Sequence, residues 1–452
     1  MQTLFAAIPS SLVQLIEALR ERVREAHFVA RHRRRATDFT RNRILTFPVV
    51  FLLLLQKTTK SVQRHLHEFL AQWLAEPGAP AVTPGAWTQA RAKFQHTAFI
   101  ELNQDVLLPW ADAPEQAARR RTWRGHRLLG VDGSSLRLPP TEALLRTFGE
   151  KTVINQGGAT GTRYPEARLS VLYDLLNDLG LDARLEPGAV GEVDLALQQT
   201  ARLQPNDLLL WDRGFTGFVL MAAVRARDAH FLGRCSRASF RPAQDLFRLN
   251  RAGRSLVTQL FAPEDQRAEL RRRGLPTTLG VRFVSVRLPT GELEVLVTSL
   301  LDEAVYPTHD FLALYHQRWG HETYYGRLKG RLDLEHWSGE TTEAVRQDFF
   351  AAVFLANLES LVSQPAQDHL AALGATRQHP AQVNRADSYH ALKERVVDLL
   401  AGNQSAEEVI RQLQGWFSAN PVSVRPERKV PRRLPSPARS YQFQRHVRKT
   451  VY

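Results

Sequence analysis

The sequence predicts an α/β fold, with a mixed β-sheet at its centre and helical, basic regions on either side. Three observations lead there. Between about residues 126 and 233, apolar runs and helical periods follow the order strand, strand, strand, helix, strand, helix, strand, as in a mixed sheet with helices packed on it. Two of the runs, Leu128–Val131 and Leu208–Trp211, end on an aspartate followed by a turn. The flanks, up to about 120 and beyond about 362, lack strand patterning and carry helical spacing instead.

Taken in order, Leu12, Leu15, Ile16 and Leu19 share one helical face within residues 1–30. Arg31–Arg43 is dense in arginine and reads as a loop between helices. Ile44–Leu55 is apolar but contains Pro48 and is shorter than the roughly 20 residues needed to span a bilayer, so it is a buried helix, or a helix pair broken at the proline. Residues 61–74 form an amphipathic helix, and Glu76-Pro77-Gly78-Ala79-Pro80 is a break. Thr83 then caps a helix with Pro84 in its first turn, carrying Trp87, Gln89, Arg91 and Lys93.

The central strands are Arg127–Val131, Ala167–Leu175, Leu181–Leu185 after a turn at Asn177-Asp178, Leu208–Trp211 and His230–Gly233. Glu192–Leu203 and Phe218–Ala229 are the helices between them. Gly280–Leu300 reads as a hairpin around Pro289-Thr290-Gly291. The chain is helical over 308–362, a Pro/Gln/Ala-rich linker over 363–383, and helical again over 386–416. The last 28 residues, with several prolines, are expected to be poorly ordered.

The net charge of +14 predicts a polyanionic partner. It sits at the ends: residues 1–125 hold 18 Lys+Arg against 10 Asp+Glu, and residues 425–452 hold nine against one. A single cysteine, Cys235, excludes an intrachain disulfide and a cysteine-rich zinc site, and fits a reducing cytosol. No signal peptide or membrane-spanning run is expected.

The most informative segment is Tyr315–Lys329. Tyr315, Arg318, Glu322 and Lys329 have offsets of 0, 3, 7 and 14, which fall at roughly 0°, −60°, −20° and −40° on a helical wheel. One face thus carries a phenol, a guanidinium, a carboxylate and an ammonium, suited to gripping phosphates while holding a metal.

This spacing, Y-x2-R-x3-E-x6-K, resembles the C-terminal signature of bacterial insertion-sequence transposases of the IS-four family, which belong to the DDE class. The resemblance requires two further acids upstream, each at a strand end. Asp132, in Leu128–Ser134, and Asp212, in Leu208–Phe215 with its Asp-Arg-Gly-Phe sequence, meet that requirement. It covers about residues 120–360 and implies a ribonuclease-H-like catalytic core with a β-rich insertion before the last catalytic helix. The expected organisation is a helical, basic DNA-binding region (1–120), a catalytic domain (121–362, insertion about 236–304), a linker and helical region (363–424), and the basic tail (425–452).

Phosphodiester cleavage at neutral pH is served by two divalent ions about 4 Å apart, one at the attacking and one at the leaving oxygen. Hard ions take carboxylates, so Asp132, Asp212 and Glu322 are the candidate catalytic residues and ligands, with Mg2+, or Mn2+ as a substitute. The resemblance implies cleavage at transposon ends, strand transfer into target double-stranded DNA, a homodimer in the synaptic complex and a bacterial cytoplasmic, nucleoid-associated setting. Tyr315, Arg318 and Lys329 would contact phosphates near the scissile bond, with Arg213 as a further candidate. Arg33, Arg34, Arg35, Arg91 and Lys93 are candidate DNA contacts in the N-terminal region, and residues 386–416 are a candidate dimer contact by position.

Trp319, Tyr324 and Tyr325 read as core, and His316 and His321 as structural. Residues 213–318 contain no tryptophan to hold a flipped base, leaving Phe240, Phe247, Phe261 or Phe283 for that role. Asp174, Asp178 and Asp182 read as a solvated acidic turn, with a fallback role should Asp132 not be a ligand. Two other readings stay open: a transposase-derived DNA-binding protein without catalysis, and a stand-alone nuclease of ribonuclease-H-like fold.

Overall fold

The computed structural model describes residues 9–41, 43–58, 61–74, 82–154, 160–374 and 379–424. The expected break at 76–80 and the basic tail at 425–452 lie outside these residues.

The sheet contains β1 (Leu128–Arg137), β2 (Glu150–Ile154), β3 (Thr160–Asp174), β4 (Leu179–Pro187), β5 (Leu208–Trp211), β6 (His230–Arg234), β7 (Ser255–Phe261), β8 (Thr278–Arg287) and β9 (Leu293–Thr298). Its order is β2-β3-β1-β5-β6-β9-β8-β7, with β4 also on β3. β4, β3 and β1 form an antiparallel meander, while β1–β5 and β5–β6 are parallel. The parallel pairs need crossovers, which the helices Glu192–Gln199 and Phe218–Arg225 supply. This is a ribonuclease-H-like core. The residues of β5 are apolar without alternation because both faces are covered.

The insertion is an extension of this same sheet. β9 pairs antiparallel with β6, and β8 and β7 follow outward. The β8–β9 hairpin turns at Pro289–Gly291, where Gly291 has φ 88°. Two helices, Arg241–Leu249 and Glu264–Arg272, make the insertion mixed rather than purely β. The helix Glu142–Phe148 was not read from the sequence, although Thr141 caps it through Leu144 N–H and is a legible start signal.

Pro48 does not break its segment. Phe47–Leu55 is one helix with the proline in its first turn, where no intrahelical donor is lost, and its other residues are buried. Thr83 caps the next helix as expected, its hydroxyl accepting from Ala86 N–H at 3.2 Å. The expected linker at 363–383 is a correction. One helix runs Thr342–Gly374 with Pro365 inside it. Val362, Ala366 and Leu370 are buried on either side of the proline, so packing outweighs the lost hydrogen bond.

This long helix is apolar enough to cross a membrane by length and composition, yet its apolar window is buried inside the fold. It packs on β4 and on the helices Phe47–Leu55 and Thr97–Leu102. The C-terminal helices, Arg385–Ala401 and Ala406–Ala419, pack on Ser10–Arg24 and on the long helix, joining the two flanks into one helical layer.

Candidate active site

β1 and β5 pair Leu128 with Leu208, Leu129 with Leu209 and Gly130 with Leu210. Continued two residues beyond the paired ones, that register sets Asp132 beside Asp212. Asp212 directly follows the last residue of β5, whereas Asp132 lies in the middle of β1, which runs on to Arg137 along β3. β5 and β6 pair Trp211 with Gly233, so the next position beside Asp212 is Arg234. The turn expected after Asp132 is a correction, because β1 continues through Gly133 and Ser134 paired with β3. There Asp132 Oδ1 accepts from Gly133 N–H at 2.9 Å within the strand, while Asp212 Oδ1 accepts from Arg213 N–H at 2.7 Å at the start of the helical turn Arg213–Phe215.

The expected continuous helical face is broken. Tyr315 ends the Asp310–His316 helix, and Glu322 lies in the first turn of a second helix, Trp319–Gly330. Between them the backbone tightens to three-residue hydrogen bonds, from Gln317 N–H to Leu314, Arg318 to Tyr315, Gly320 to Gln317 and His321 to Arg318. The tighter winding turns Tyr315 and Arg318 inward, and both are buried. The Tyr315 hydroxyl donates to Asp212 Oδ1 at 3.3 Å, and Arg318 Nη2 lies 3.4 Å from Glu322 Oε1.

Two side chains fix the glutamate helix to β1. Tyr325 donates to the Asp132 carbonyl at 2.7 Å and accepts from Val171 N–H at 3.1 Å. Lys329 donates to Ser134 Oγ and to the Ser135 carbonyl, both at 2.8 Å. Lys329 is therefore committed to the strand rather than projecting freely, and burial lowers its pKa against the pull of Glu335 and Glu166.

Arg318 is the electrostatic centre. Burial disfavours its charge, but Tyr315, Asp212, Glu322 and Asp132 together raise its pKa. Burial pushes the Asp132 carboxyl up, to about 6; the Gly133 N–H and Arg318 oppose the shift, while Glu192 and Glu322 add to it. The three acids thus crowd one another around a single guanidinium. Their donor atoms are all carboxylate oxygens, which suits a hard divalent ion. Among the described residues no three metal-ligating side chains are gathered into a formed cage; Arg318 holds Glu322 instead, and an ion would have to compete for it.

Three residues of this region escaped the sequence reading. Arg234 bridges Asp212, at 3.6 Å, and Glu294, at 2.7 Å. Glu294 is buried, with burial raising its pKa, and its Oε2 has no partner among the described residues. Glu192 lies against Gly133, where a Cβ would come within 2.5 Å of its carboxyl carbon, and pairs with Arg168. Arg234 was findable, being the basic residue that ends the apolar strand after Asp212.

Among the other expected residues, Arg213 is exposed beside Asp212. A β-bridge between Arg33 and Phe94 and a hydrogen bond from Arg34 N–H to the Lys93 carbonyl bring Arg33, Arg34, Arg35 and Lys93 into one basic cluster. Arg91 is a correction. It is 5% exposed and donates to Gln347, Ser338, the Ala344 carbonyl and Asp348. Its guanidinium is consumed by the start of the long helix and is withdrawn from DNA.

The acidic turn is not solvated either. Asp174 is buried, and Asp178 accepts from Arg327 at 2.8 Å and Arg385 at 2.6 Å. Burial pushes the Asp178 carboxyl up, but the two arginines hold it well below the usual range. His321 is buried, stacks on Tyr173 and meets the Tyr325 ring at a tilt, while His316 is exposed. Tyr324 and Tyr325 are core, but Trp319 is 45% exposed, with the Arg318 guanidinium 5.2 Å from its ring. Of the four phenylalanines, Phe283 is buried and Phe261 exposed.

The ribonuclease-H-like sheet carries Asp132 within β1, Asp212 just past the end of the neighbouring β5 and Glu322 on a covering helix, a set of acids suited to phosphoryl transfer. Residues 123–358 match the transposase DDE domain family, and the chain belongs to that family of enzymes. Its substrate class is accordingly DNA, and the family implies dependence on divalent metal. The chain is 22% identical over 356 residues to the transposase InsG of insertion sequence element IS4 from Escherichia coli strain K12, covering 78% of this chain and 76% of that one. Among solved structures it is similar to the piggyBac transposase synaptic complex with hairpin DNA, at 10% identity and TM-score 0.44, over 95% of this chain and 88% of that one.

Proposed function

We propose that this chain is the transposase of a bacterial insertion sequence, cutting DNA at the element's ends and joining them to target DNA, with Asp132, Asp212 and Glu322 as ligands of two divalent ions. The observation that carries this reading is the grouping of Asp132, Asp212 and Glu322 around the Arg318 guanidinium, on strands whose pairing stops two residues short of the aspartates. When bound, Mg2+ or Mn2+ neutralises phosphate charge and activates the attacking and leaving oxygens. In the first step the oxygen of water bonds to phosphorus and the bond to the 3′ oxygen breaks, freeing a 3′-hydroxyl. In the second step the oxygen of that hydroxyl bonds to a target phosphorus and the target strand's own bond from phosphorus to its 3′ oxygen breaks, which releases a 3′-hydroxyl on the target.

The protein's own groups hold the phosphate and keep the acids in place. Arg318 and Arg234 lie beside Asp212 and carry charge to a phosphate there. Tyr315 orients Asp212, and Lys329, anchored to β1 by its two bonds, contributes its charge to the phosphate from that fixed position. Arg34 and Arg35, with Lys93, grip the DNA backbone away from the reacting bond. Two ends are joined in a synaptic complex that contains a dimer of this chain.

The test is cleavage of labelled DNA carrying the element's own end repeats, in Mg2+ and in Mn2+, by the wild type and Glu322→Gln. The reading predicts a 3′-hydroxyl at the repeat end from the wild type, with binding but no cutting by the variant. Binding without cutting by both favours a catalytically silent DNA-binding protein. Cutting without strand transfer favours a stand-alone nuclease.

A further inference from the structure

β7 ends the sheet and, among the described residues, pairs only with β8. Its sequence, Ser255-Leu-Val-Thr-Gln-Leu-Phe261, holds no charge and no proline, and Leu256, Val257 and Phe261 are 43%, 54% and 68% exposed. Exposed edge strands are usually blunted by lysine, proline or a bulge. Here a bulge at Gly253-Arg254, opposite Ser285, and Pro263 bracket the strand, and no lysine, proline or bulge lies within Ser255–Phe261. Arg254 directs its N–H and C=O towards Ser285, and Ala262 N–H bonds to Thr277. By the alternation of an antiparallel ladder, Ser255, Val257, Gln259 and Phe261 therefore turn their backbone groups outward.

The two ends of this edge are opposite in charge. Arg251 and Arg254 precede it, and Glu264 and Asp265 follow it. All four are exposed, and none is in an ion pair among the described residues. We propose that β7 is a self-association surface, on which a second copy of this chain docks antiparallel to extend the sheet across a twofold axis at Thr258. That axis sets Val257 against Gln259 of the second copy and Ser255 against Phe261 of the second copy. It also brings the Arg251 end against the Asp265 end, so one strand complements itself in hydrogen bonding, apolar surface and charge. The basic tail, with nine Lys+Arg against one acid, is a poor fit to an edge already flanked by Arg251 and Arg254.

This rests on the transposase reading only in that synapsis needs such a contact; the association itself needs no chemistry. The test is sedimentation velocity over a concentration series of the full chain, alone and with end DNA. Variants are Val257→Lys and Asp265→Arg, and the last combined with Arg251→Asp. The expected result is a wild-type dimer whose dissociation constant rises by about tenfold or more in each single variant, with recovery in the charge-swapped double variant. Matched melting curves confirm folding, since the substituted side chains are exposed. A dimer that survives Val257→Lys overturns the proposal. So does a wild type that stays monomeric with and without DNA, whether the edge is bare or covered by residues 425–452. End cleavage is scored separately: a β7 dimer that never cuts removes the transposase reading and leaves this one.

Discussion

The Tyr325 hydroxyl donates to the backbone carbonyl of Asp132 at 2.7 Å, tying the helix that bears Glu322 to the strand that bears the first acid. Its oxygen also accepts from Val171 N–H, so it spans two strands and a helix in the interior. Tyr325→Phe leaves a buried N–H and a buried carbonyl without this partner. The expected cost is about 1–3 kcal/mol in denaturant unfolding. The Mg2+ concentration for half-maximal cleavage is expected to rise as well, because Glu322 loses its register with Asp132. Unchanged stability and metal dependence would refute the pinning role.

Arg318 holds together acids that otherwise repel. Arg318→Gln is expected to lower the melting temperature in chelator and to show a larger gain on adding Mg2+ than the wild type, since the ion then takes over the neutralisation. Cleavage is expected to fall about a hundredfold, because a charged donor near the phosphate is gone. An equal Mg2+ response in the two proteins would count against Arg318 as the counter-charge of the metal-free site.

Arg91 and Arg34 separate structural from DNA-binding arginines. Arg91→Ala removes one of the two cations beside the buried Asp348, which keeps Lys57 at 3.7 Å and Ser338, and is expected to cost about 1–3 kcal/mol. Correctly folded Arg91→Ala should bind DNA with the wild-type salt dependence. Arg34→Ala and Arg35→Ala should leave stability unchanged, while each reduces the slope of log affinity against log salt by about one. The slopes from a salt titration decide between them.

His321 makes stability depend on pH. Burial first, and then Arg318, lower its pKa from 6.5 to about 3. The unfolded chain therefore binds a proton below 6.5 that the folded chain refuses. Stability from this group is complete above 6.5 and is lost as pH falls from there towards 3, at up to about 1.4 kcal/mol per unit. Between pH 7.5 and 5.5 the wild type should lose about 1.4 kcal/mol more than His321→Phe, which keeps an aromatic ring in the stack. Parallel pH profiles from denaturant titration would contradict this.

The sequence by itself determined the elements whose signal is local. Leu208–Trp211 reads as a strand because a parallel strand covered on both faces is a continuous apolar run, and its end at Asp212 is visible at once. Thr83–Pro84 reads as a helix start because capping is satisfied within one turn. The candidate acids were legible because the spacing around Glu322 asks for two acids that follow apolar runs, as Asp132 and Asp212 do. What only the tertiary structure decided depends on groups far apart in the chain. Nothing local tells that Arg91 meets Asp348, 257 residues on, and so becomes a core ion pair instead of a DNA contact. Pro365 looks like a helix breaker until the apolar faces on both sides of it are buried together. The helical wheel set Tyr315 and Arg318 on an open face, but packing tightened the intervening turn and drew both inward. The sheet likewise decided that the 80 residues between Asp132 and Asp212 are the register offset of β1 and β5, because strand pairing is set by which apolar faces fit together.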